Sequence, residues 1–118
     1  MSAKTSAEVV IDGKVYTWGI NTKGQLGLGN KENVDFPKEV QTHGDNIFRI
    51  GAGYSNTYVI ANTGSVYAAG KNNYGQIGNG TTTNQVYATK VKVSSTEDLT
   101  NIMDIAAGVE GSLALTKE

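Results

Sequence analysis

The chain has 118 residues, the usual size of one domain, with 38% hydrophobic residues, 15 glycines and one proline. Its 10 basic and 11 acidic side chains are scattered singly, so no basic stripe supports binding to nucleic acid and no polybasic segment supports binding to a membrane surface. The absence of cysteine excludes disulfide bonds and thiolate metal sites.

The N-terminal segment MSAKTSAEVVIDG contains one lysine and no apolar core of seven or more residues, so we predict no signal peptide. No stretch approaches the eighteen or so apolar residues that a membrane span needs, so we predict none, and the compartment stays open. Asp12-Gly13 is a strong hairpin signal at the end of this segment.

A repeated phrase dominates the rest of the chain. GKVYTWGINTKGQLGLG begins at Gly13 and GSVYAAGKNNYGQIGNG begins at Gly64, and nine of the seventeen aligned positions are identical. Each phrase is followed by three further matching segments, PKEV and ATKV, then IFRIGAG and IMDIAAG, then NTYVIA and GSLALT. The offset between the copies grows from 51 to 55 along the repeat, which predicts four inserted residues within 94–101.

Each segment of the repeat has the pattern of a strand or a turn. KVYTWG and SVYAAG are short runs of β-formers closed by glycine, and YVIA and LALT are apolar runs typical of strands buried on both faces. The glycines at 24, 27 and 29, and at 75, 78 and 80, are predicted to supply positive φ or close backbone approach. A period of about fifty residues with four short strands per unit predicts β-propeller blades, which must stack on one another to bury their faces.

The phrase VYTWGINTKGQLGLG, followed by a proline, an IxxIxAG strand and a small apolar strand, resembles the regulator of chromosome condensation repeat. The resemblance covers 13–116 twice over and implies blades of a seven-bladed β-propeller, with the sequence repeat offset from the blade. We expect a single repeat module over 1–118, with repeat 1 at about 13–63, repeat 2 at about 64–118 and 1–12 as an extra strand. On this division, 7–40 supplies the second to fourth strands of one blade, 47–91 a complete blade and 102–116 the two inner strands of another.

The same resemblance marks a set of structural positions and some departures. Ala69 stands where the first copy has Trp18, which implies a smaller plug at one blade junction, and Asn56-Thr57 and Gly111-Ser112 replace the usual His-Ser. The best-known family member is an exchange factor for a nuclear small GTPase, but its loop wedge, DNA-facing surface and basic tail have no counterpart here. The predicted structural positions are Trp18, Gly19, Gly24, Gln25, Leu26, Gly27, Gly53, Gly70, Gly75, Gln76, Ile77, Gly78 and Gly108.

No catalytic, cofactor or metal site is predicted. His43 is expected to be a solvated loop histidine because no nucleophile or orienting group can be nominated beside it. Glu97-Asp98 is expected to be a solvated acidic tip, and the acidic residues do not have the spacing of a calcium loop. The Gly-rich loops lack a P-loop lysine, so their glycines serve turns, and Gln25 and Gln76 are expected to bond backbone between neighbouring strands.

The sequence favours a non-enzymatic scaffold that binds proteins through its loop faces, or a purely structural module. The resemblance leaves open the alternative of an exchange-factor-like regulator of a small GTPase. Two incomplete blades at the ends predict that copies pair head to tail, and a ring of three or four chains is expected. The alternative is a monomeric or loosely aggregated fragment of a longer repeat array. In a head-to-tail pair, AEVVI (7–11) of one copy and GSLALT of the other compete for the same second-strand position of the shared blade. The residues predicted to pair subunits are Val15, Tyr16, Trp18, Ile102, Ile105, Leu113 and Leu115.

Overall fold

Nine antiparallel β-strands form the protein, in a computed structural model that describes residues 6–52, 55–107 and 112–116. Across these ranges no helix is present, and so no helix that could cross a membrane. The strands are β1 (Ser6–Ile11), β2 (Lys14–Gly19), β3 (Val34–Glu39), β4 (Ile47–Ala52), β5 (Asn56–Ala61), β6 (Val66–Gly70), β7 (Gln85–Lys90), β8 (Ile102–Ala107) and β9 (Ser112–Thr116).

The strands form three sheets, each a simple meander. Blade 1 has the order β1-β2-β3, blade 2 the order β4-β5-β6-β7, and blade 3 the order β8-β9. This confirms the all-β fold and the expected allotment of strands to a three-stranded, a four-stranded and a two-stranded unit. The second-strand position beside β2 is taken by β1, which pairs along its whole length from Ser6↔Gly19 to Ile11↔Lys14.

The first hairpin and the long connections follow the sequence pattern. Asp12 and Gly13 both have positive φ, at 51° and 79°, as a two-residue turn of the hairpin type requires. β3 and β7 end at Glu39 and Lys90, 51 residues apart, whereas β4 and β8 begin at Ile47 and Ile102, 55 apart. The four inserted residues therefore lie in the connection between β7 and β8, as predicted.

The outer strands of blades 1 and 2 share a bulge. The pairing of β2 with β3 shifts register between Thr17 and Gly19, and the pairing of β6 with β7 shifts between Ala68 and Gly70. Pro37 lies in the corresponding stretch of β3 that is not paired in register with β2. Because proline has no N–H to donate to a ladder, an edge strand with a bulge accommodates it.

Blade 2 lies between two hydrophobic cores, one on each face. All six residues of β5 and all five of β6 are buried, and alternate side chains point to opposite faces. The core between blades 1 and 2 consists of Val15, Val40, Ile47, Val59, Ala61, Tyr67 and Ala88. The core between blades 2 and 3 consists of Tyr58, Ile60, Val66, Ala68, Ile77, Val91 and Ile102.

The antiparallel order places the loops at two opposite ends of the strands. The long Gly-rich loops at 20–33 and 71–84 lie at one end, which we call the long-loop face. The connections at 40–46, 62–65 and 91–101 lie at the other end, which we call the connection face. Each face presents loops on a rigid sheet scaffold, where binding residues tend to lie.

Candidate functional site

One buried asparagine organises the first Gly-rich loop. The side chain of Asn21 is fully buried, and its Nδ2 donates hydrogen bonds to the carbonyl oxygens of Asn30 (3.0 Å) and Glu32 (2.9 Å). Its Oδ1 accepts a bond from the N–H of Leu26 at 3.0 Å. The N–H of Asn21 itself donates to Oδ1 of Asn33 at 2.9 Å. A single amide thus ties together three separate segments of the loop.

The second loop repeats this arrangement around Asn72, which is also fully buried. Its Nδ2 donates to the carbonyl oxygens of Thr81 and Thr83, each at 3.0 Å, and its Oδ1 accepts from the N–H of Ile77 at 2.9 Å. The N–H of Asn72 donates to Oδ1 of Asn84 at 2.8 Å. Both asparagines belong to the identical positions of the repeated phrase, but their role could not be predicted from that identity alone.

The two loop glutamines bind within their own loops. Oε1 of Gln25 accepts a hydrogen bond from the N–H of Lys23, and Oε1 of Gln76 accepts one from the N–H of Tyr74, each at 2.9 Å. The expectation was a bond to backbone between neighbouring strands. These bonds close the tight turn before each glutamine, where the partner N–H is only two residues away.

The first loop docks onto the outer strand of the next blade. The N–H of Gly29 donates to the carbonyl of Val86 at 2.8 Å, and Leu28 forms an isolated antiparallel bridge with Tyr87. A Cβ at Gly24 would lie 2.9 Å from the β7 backbone, and one at Gly29 would lie 2.7 Å from the Tyr87 ring. These glycines are therefore required by close contact between blades as well as by their positive φ.

The second loop has the same backbone but an open surface. Gly75 and Gly80 have φ of 75° and 87°, close to the 81° and 92° of Gly24 and Gly29. A Cβ at Gly75 would meet only the Thr81 carbonyl at 4.0 Å, and one at Gly80 would meet nothing within 4 Å. The second loop thus has the conformation of the first, but the surface that the first loop buries against a neighbouring blade is exposed in the second.

This difference predicts unequal effects of two matched substitutions. Gly75→Ala should cost about 1 kcal/mol through backbone strain alone. Gly24→Ala should cost roughly 2 kcal/mol or more, because it adds the same strain and also a clash of its Cβ with the β7 backbone. Urea unfolding at low micromolar concentration measures both, and equal midpoints for the two variants would contradict the docking of the first loop.

The other predicted structural positions fall in the loops and at the blade junction. Leu26 and Ile77 are each 1% exposed, and Gly27 and Gly78 have positive φ of 71° and 77°. Gly19 and Gly70, at the ends of β2 and β6, also have positive φ. Gly53 and Gly108 lie outside the described residues.

The first loop fills the space at the junction of blades 1 and 2, where Ala69 is smaller than the tryptophan of the other copy. Ala69 is 3% exposed, and a Cβ at Gly27 would lie 3.5 Å from that of Ala69. A void of about 10 Å³ remains between the blades, with room for no more than about one water molecule. Trp18, at the aligned position of blade 1, is half-buried.

The residues predicted to pair subunits divide into three groups. Val15 and Ile102 are fully buried in the two cores between blades, so their side chains are not available to another copy. Tyr16 and Trp18 alternate with Val15 along β2 and lie half-buried on the opposite face. The backbone of Ile105 lies in β8, and that of Leu113 and Leu115 lies in β9. Their part in pairing stays a prediction.

A polar cluster occupies the connection face above the core between blades 1 and 2. The hydroxyl of Tyr67 donates a 2.8 Å hydrogen bond to Asp45, and the ring of His43 stacks on that of Tyr67 at 5.6 Å. Burial, together with this bond to a carboxylate, raises the pKa of Tyr67 to about 12. His43 remains exposed, as expected, and it covers the buried tyrosine as part of the blade junction.

The inserted connection is tied to blade 2 by ion pairs. Asp98 lies 2.7 Å from Lys92 and 3.3 Å from Lys90, and it is partly buried rather than at a solvated tip. The hydrogen bond from Lys92 lowers the pKa of the Asp98 carboxyl, and Lys90 acts in the same direction. Lys90 also lies 5.9 Å from the centre of the Tyr67 ring, so the insertion joins the same polar cluster.

The hydrogen bond from Tyr67 to Asp45 predicts that the stability of the fold depends on pH. Because the pKa of Tyr67 rises from 10.0 to about 12 on folding, its contribution to stability is complete below pH 10 and is lost between pH 10 and 12. Tyr67→Phe should lower stability near neutral pH by about 1–2 kcal/mol and should make the loss above pH 10 shallower. The control is Tyr87→Phe, because Tyr87 is 62% exposed and β3 carries Phe36 at the aligned position. Identical alkaline profiles for the parent and Tyr67→Phe would contradict the assignment.

An open groove of about 590 Å³ runs between β3 and the neighbouring blade. Its walls include the exposed rings of Phe36 and Tyr87 and the carboxylates of Glu32, Asp35 and Glu39. Within the described ranges, no group of three or more His, Asp or Glu side chains could hold a metal ion. The groove is therefore a surface feature of the blade junction.

Comparison with known proteins identifies the repeat. The model of the regulator of chromosome condensation (RCC1) repeat matches residues 12–60 and 63–115. The chain is 32% identical to Protein RCC2 homolog of Xenopus laevis over 114 residues, and 35% identical to the X-linked retinitis pigmentosa GTPase regulator of Mus musculus over 114 residues. These alignments cover 96% of the chain but only 22% and 11% of the two relatives.

A solved structure agrees in fold. The crystal structure of Prp20p from Saccharomyces cerevisiae, reported with its binding to Gsp1p and histones, superposes with a TM-score of 0.79 at 21% identity. The match covers 98% of the chain and 30% of Prp20p. The meander blades, the Gly-rich docking loops and the two matched repeats lead to one conclusion: the chain belongs to the RCC1 repeat family.

Proposed function

We propose that the chain is a non-enzymatic propeller module that works as a protein-binding scaffold, and that other copies of the same chain are among its partners. The observation that carries the proposal is the complementarity of its outer blades. Blade 3 has the strand order β8-β9, equivalent to the inner half of blade 2, and β2-β3 of blade 1 is equivalent to the outer half. The repeat boundaries at 13–63 and 64–118, with 1–12 as an extra strand, are part of this proposal.

Head-to-tail pairing would make one composite blade from β8-β9 of one copy and β2-β3 of the next. Such a contact is heterologous and gives a closed ring only if the rotation closes. Three chains would make six blades and four would make eight, whereas seven cannot be made from whole two-blade units. In every case β9 of one copy must replace β1 beside β2 of its neighbour.

Co-purification of two differently tagged copies tests this proposal. Copies that are expressed separately, mixed at about 100 µM and captured through one tag should carry the other tag into the eluate. An unrelated protein with the second tag is the control. Recovery of only the captured copy, at a level no higher than the control, would overturn self-association.

A second candidate, regulation of a small GTPase, is favoured by two of the similar proteins. One relative is called a GTPase regulator, and the solved structure of Prp20p is reported with binding to Gsp1p. Release of a fluorescent guanine nucleotide from a panel of small GTPases separates the two candidates. The scaffold proposal expects release rates equal to those without the chain, whereas a tenfold acceleration for one GTPase would favour the second candidate.

A further inference from the structure

The contact between blades 1 and 2 provides a template for a second contact. In that contact Gly29 donates to the carbonyl of Val86, and Leu28 bridges with Tyr87. The repeat offset of 51 gives every member of the contact a counterpart in the other blade. Gly29 and Leu28 correspond to Gly80 and Asn79, and Val86 and Tyr87 correspond to Asp35 and Phe36.

Both counterpart surfaces are open. A Cβ added at Gly80 meets nothing within 4 Å, although the loop around it has the docking conformation. On β3, Phe36 is 75% exposed and the stretch around Pro37 carries the same bulge as β7. One surface has the shape of the docking loop, and the other has the shape of the strand that receives it.

We infer that the loop at 75–80 of one copy docks onto β3 of a second copy in the register of the internal contact. The N–H of Gly80 then donates to the carbonyl of Asp35, and Asn79 lies opposite Phe36. This inference rests on the proposed self-association and specifies which surfaces meet. The occupant is a second copy because β3 is the strand that carries the required bulge and aromatic side chain.

Exposed apolar side chains support the same pairing of surfaces. Among the described residues, the two most exposed large hydrophobic side chains are Phe36 at 75% and Tyr74 at 63%. Phe36 lies on the receiving strand, and Tyr74 lies in the docking loop next to Gly75. The two surfaces that the inferred contact joins therefore carry these two side chains.

The single tryptophan also falls on the inferred interface. Within the chain, Gly27 of the first loop approaches Ala69 of blade 2. The same offset places Gly78 of one copy against Trp18 of the next. Because Trp18 is half-buried on the face of β2 that points away from the core with blade 2, docking should bury it further.

Engineered cysteines test the register directly, because the parent has none. Two single variants, Asn79→Cys and Phe36→Cys, are mixed and oxidised under mild conditions. We expect a disulfide-linked dimer containing one copy of each variant. The double variant Leu28→Cys/Tyr87→Cys is the matched positive control, because its bridge partners lie within one chain and at the spacing that disulfides require.

A mispaired mixture provides the negative control. Asn79→Cys mixed with Thr96→Cys should give at least tenfold less mixed dimer, because Thr96 lies in the exposed connection on the opposite face. A mixed yield no higher than this control would overturn the inference, as would a predominance of Asn79→Cys homodimers. If the parent copies co-purify and the mixed disulfide is still absent, self-association stands and only the inferred register fails.

A glycine variant gives an independent measurement without cysteines. Gly80→Ala adds a Cβ where the second copy would lie, so we expect its dissociation constant to rise at least tenfold. Trp18 emission should shift to shorter wavelength as the parent is concentrated, and this shift should be reduced in Gly80→Ala. An unchanged dissociation constant together with a parent-like shift would contradict the inferred contact.

Discussion

Asn72→Ala is expected to be the most destabilising single substitution in the described loops. The side chain of Asn72 is fully buried and bonds the carbonyls of Thr81 and Thr83 and the N–H of Ile77. Alanine leaves these backbone groups without their fully buried partner, and each buried unsatisfied group costs about 1–3 kcal/mol. We expect a loss of roughly 3 kcal/mol or more and a melting temperature lower by roughly 10 °C.

The neighbouring residue supplies a matched control for this experiment. Asn73 has the same side chain in the same loop but is exposed, so Asn73→Ala should change stability by less than about 0.5 kcal/mol. Asn21→Ala should reproduce the large effect, because Asn21 has the equivalent bonds in the first loop. Similar urea midpoints for Asn72→Ala and Asn73→Ala would show that the buried amide does not organise the loop.

Removal of residues 1–11 is expected to strengthen self-association about tenfold or more. β1 occupies the edge of β2 through a complete antiparallel ladder, and the composite blade needs that edge for β9 of another copy. A chain that must first release β1 is competent to pair only for a fraction of the time, and its apparent dissociation constant is the intrinsic value divided by that fraction. Sedimentation velocity over a concentration series measures the change.

Removal of residues 1–5 alone is the control for this truncation, because it leaves β1 in place. It should associate like the parent, while circular dichroism checks that the longer truncation keeps its strands. If removal of residues 1–11 weakens association or leaves it unchanged, β1 is not the competitor, and β9 does not pair with β2 in the manner proposed.

The repeated phrase was sufficient to predict the strands. The β-forming runs of its two copies placed eight of the nine strands, because a repeat must form the same unit twice and few units have four short strands in fifty residues. The ninth, β1, was predicted from AEVVI at 7–11, outside the repeat. The positive φ of Gly24, Gly27, Gly75 and Gly78 was also predictable, because these glycines recur at fixed positions in tight turns.

The polar contacts could not be predicted in the same way. Both copies of the repeat have asparagine at this position, Asn21 and Asn72, which indicates that the side chain is needed there. The carbonyls that these side chains bind come within reach only when the loop has folded. Gln25 was expected to bond the backbone of a neighbouring strand, yet its Oε1 accepts from the N–H of Lys23 in its own loop. Asp98 was expected at a solvated tip because the sequence does not reveal that the insertion turns back toward Lys90 and Lys92.

The mass of the chain in solution tests the central claim of head-to-tail assembly most directly. Light scattering coupled to size exclusion should show a single species at three or four times the 12.5 kDa of one chain, and this mass should not increase further with concentration because a ring is closed. A monodisperse peak at the mass of one chain, unchanged at millimolar loading, would contradict the assembly.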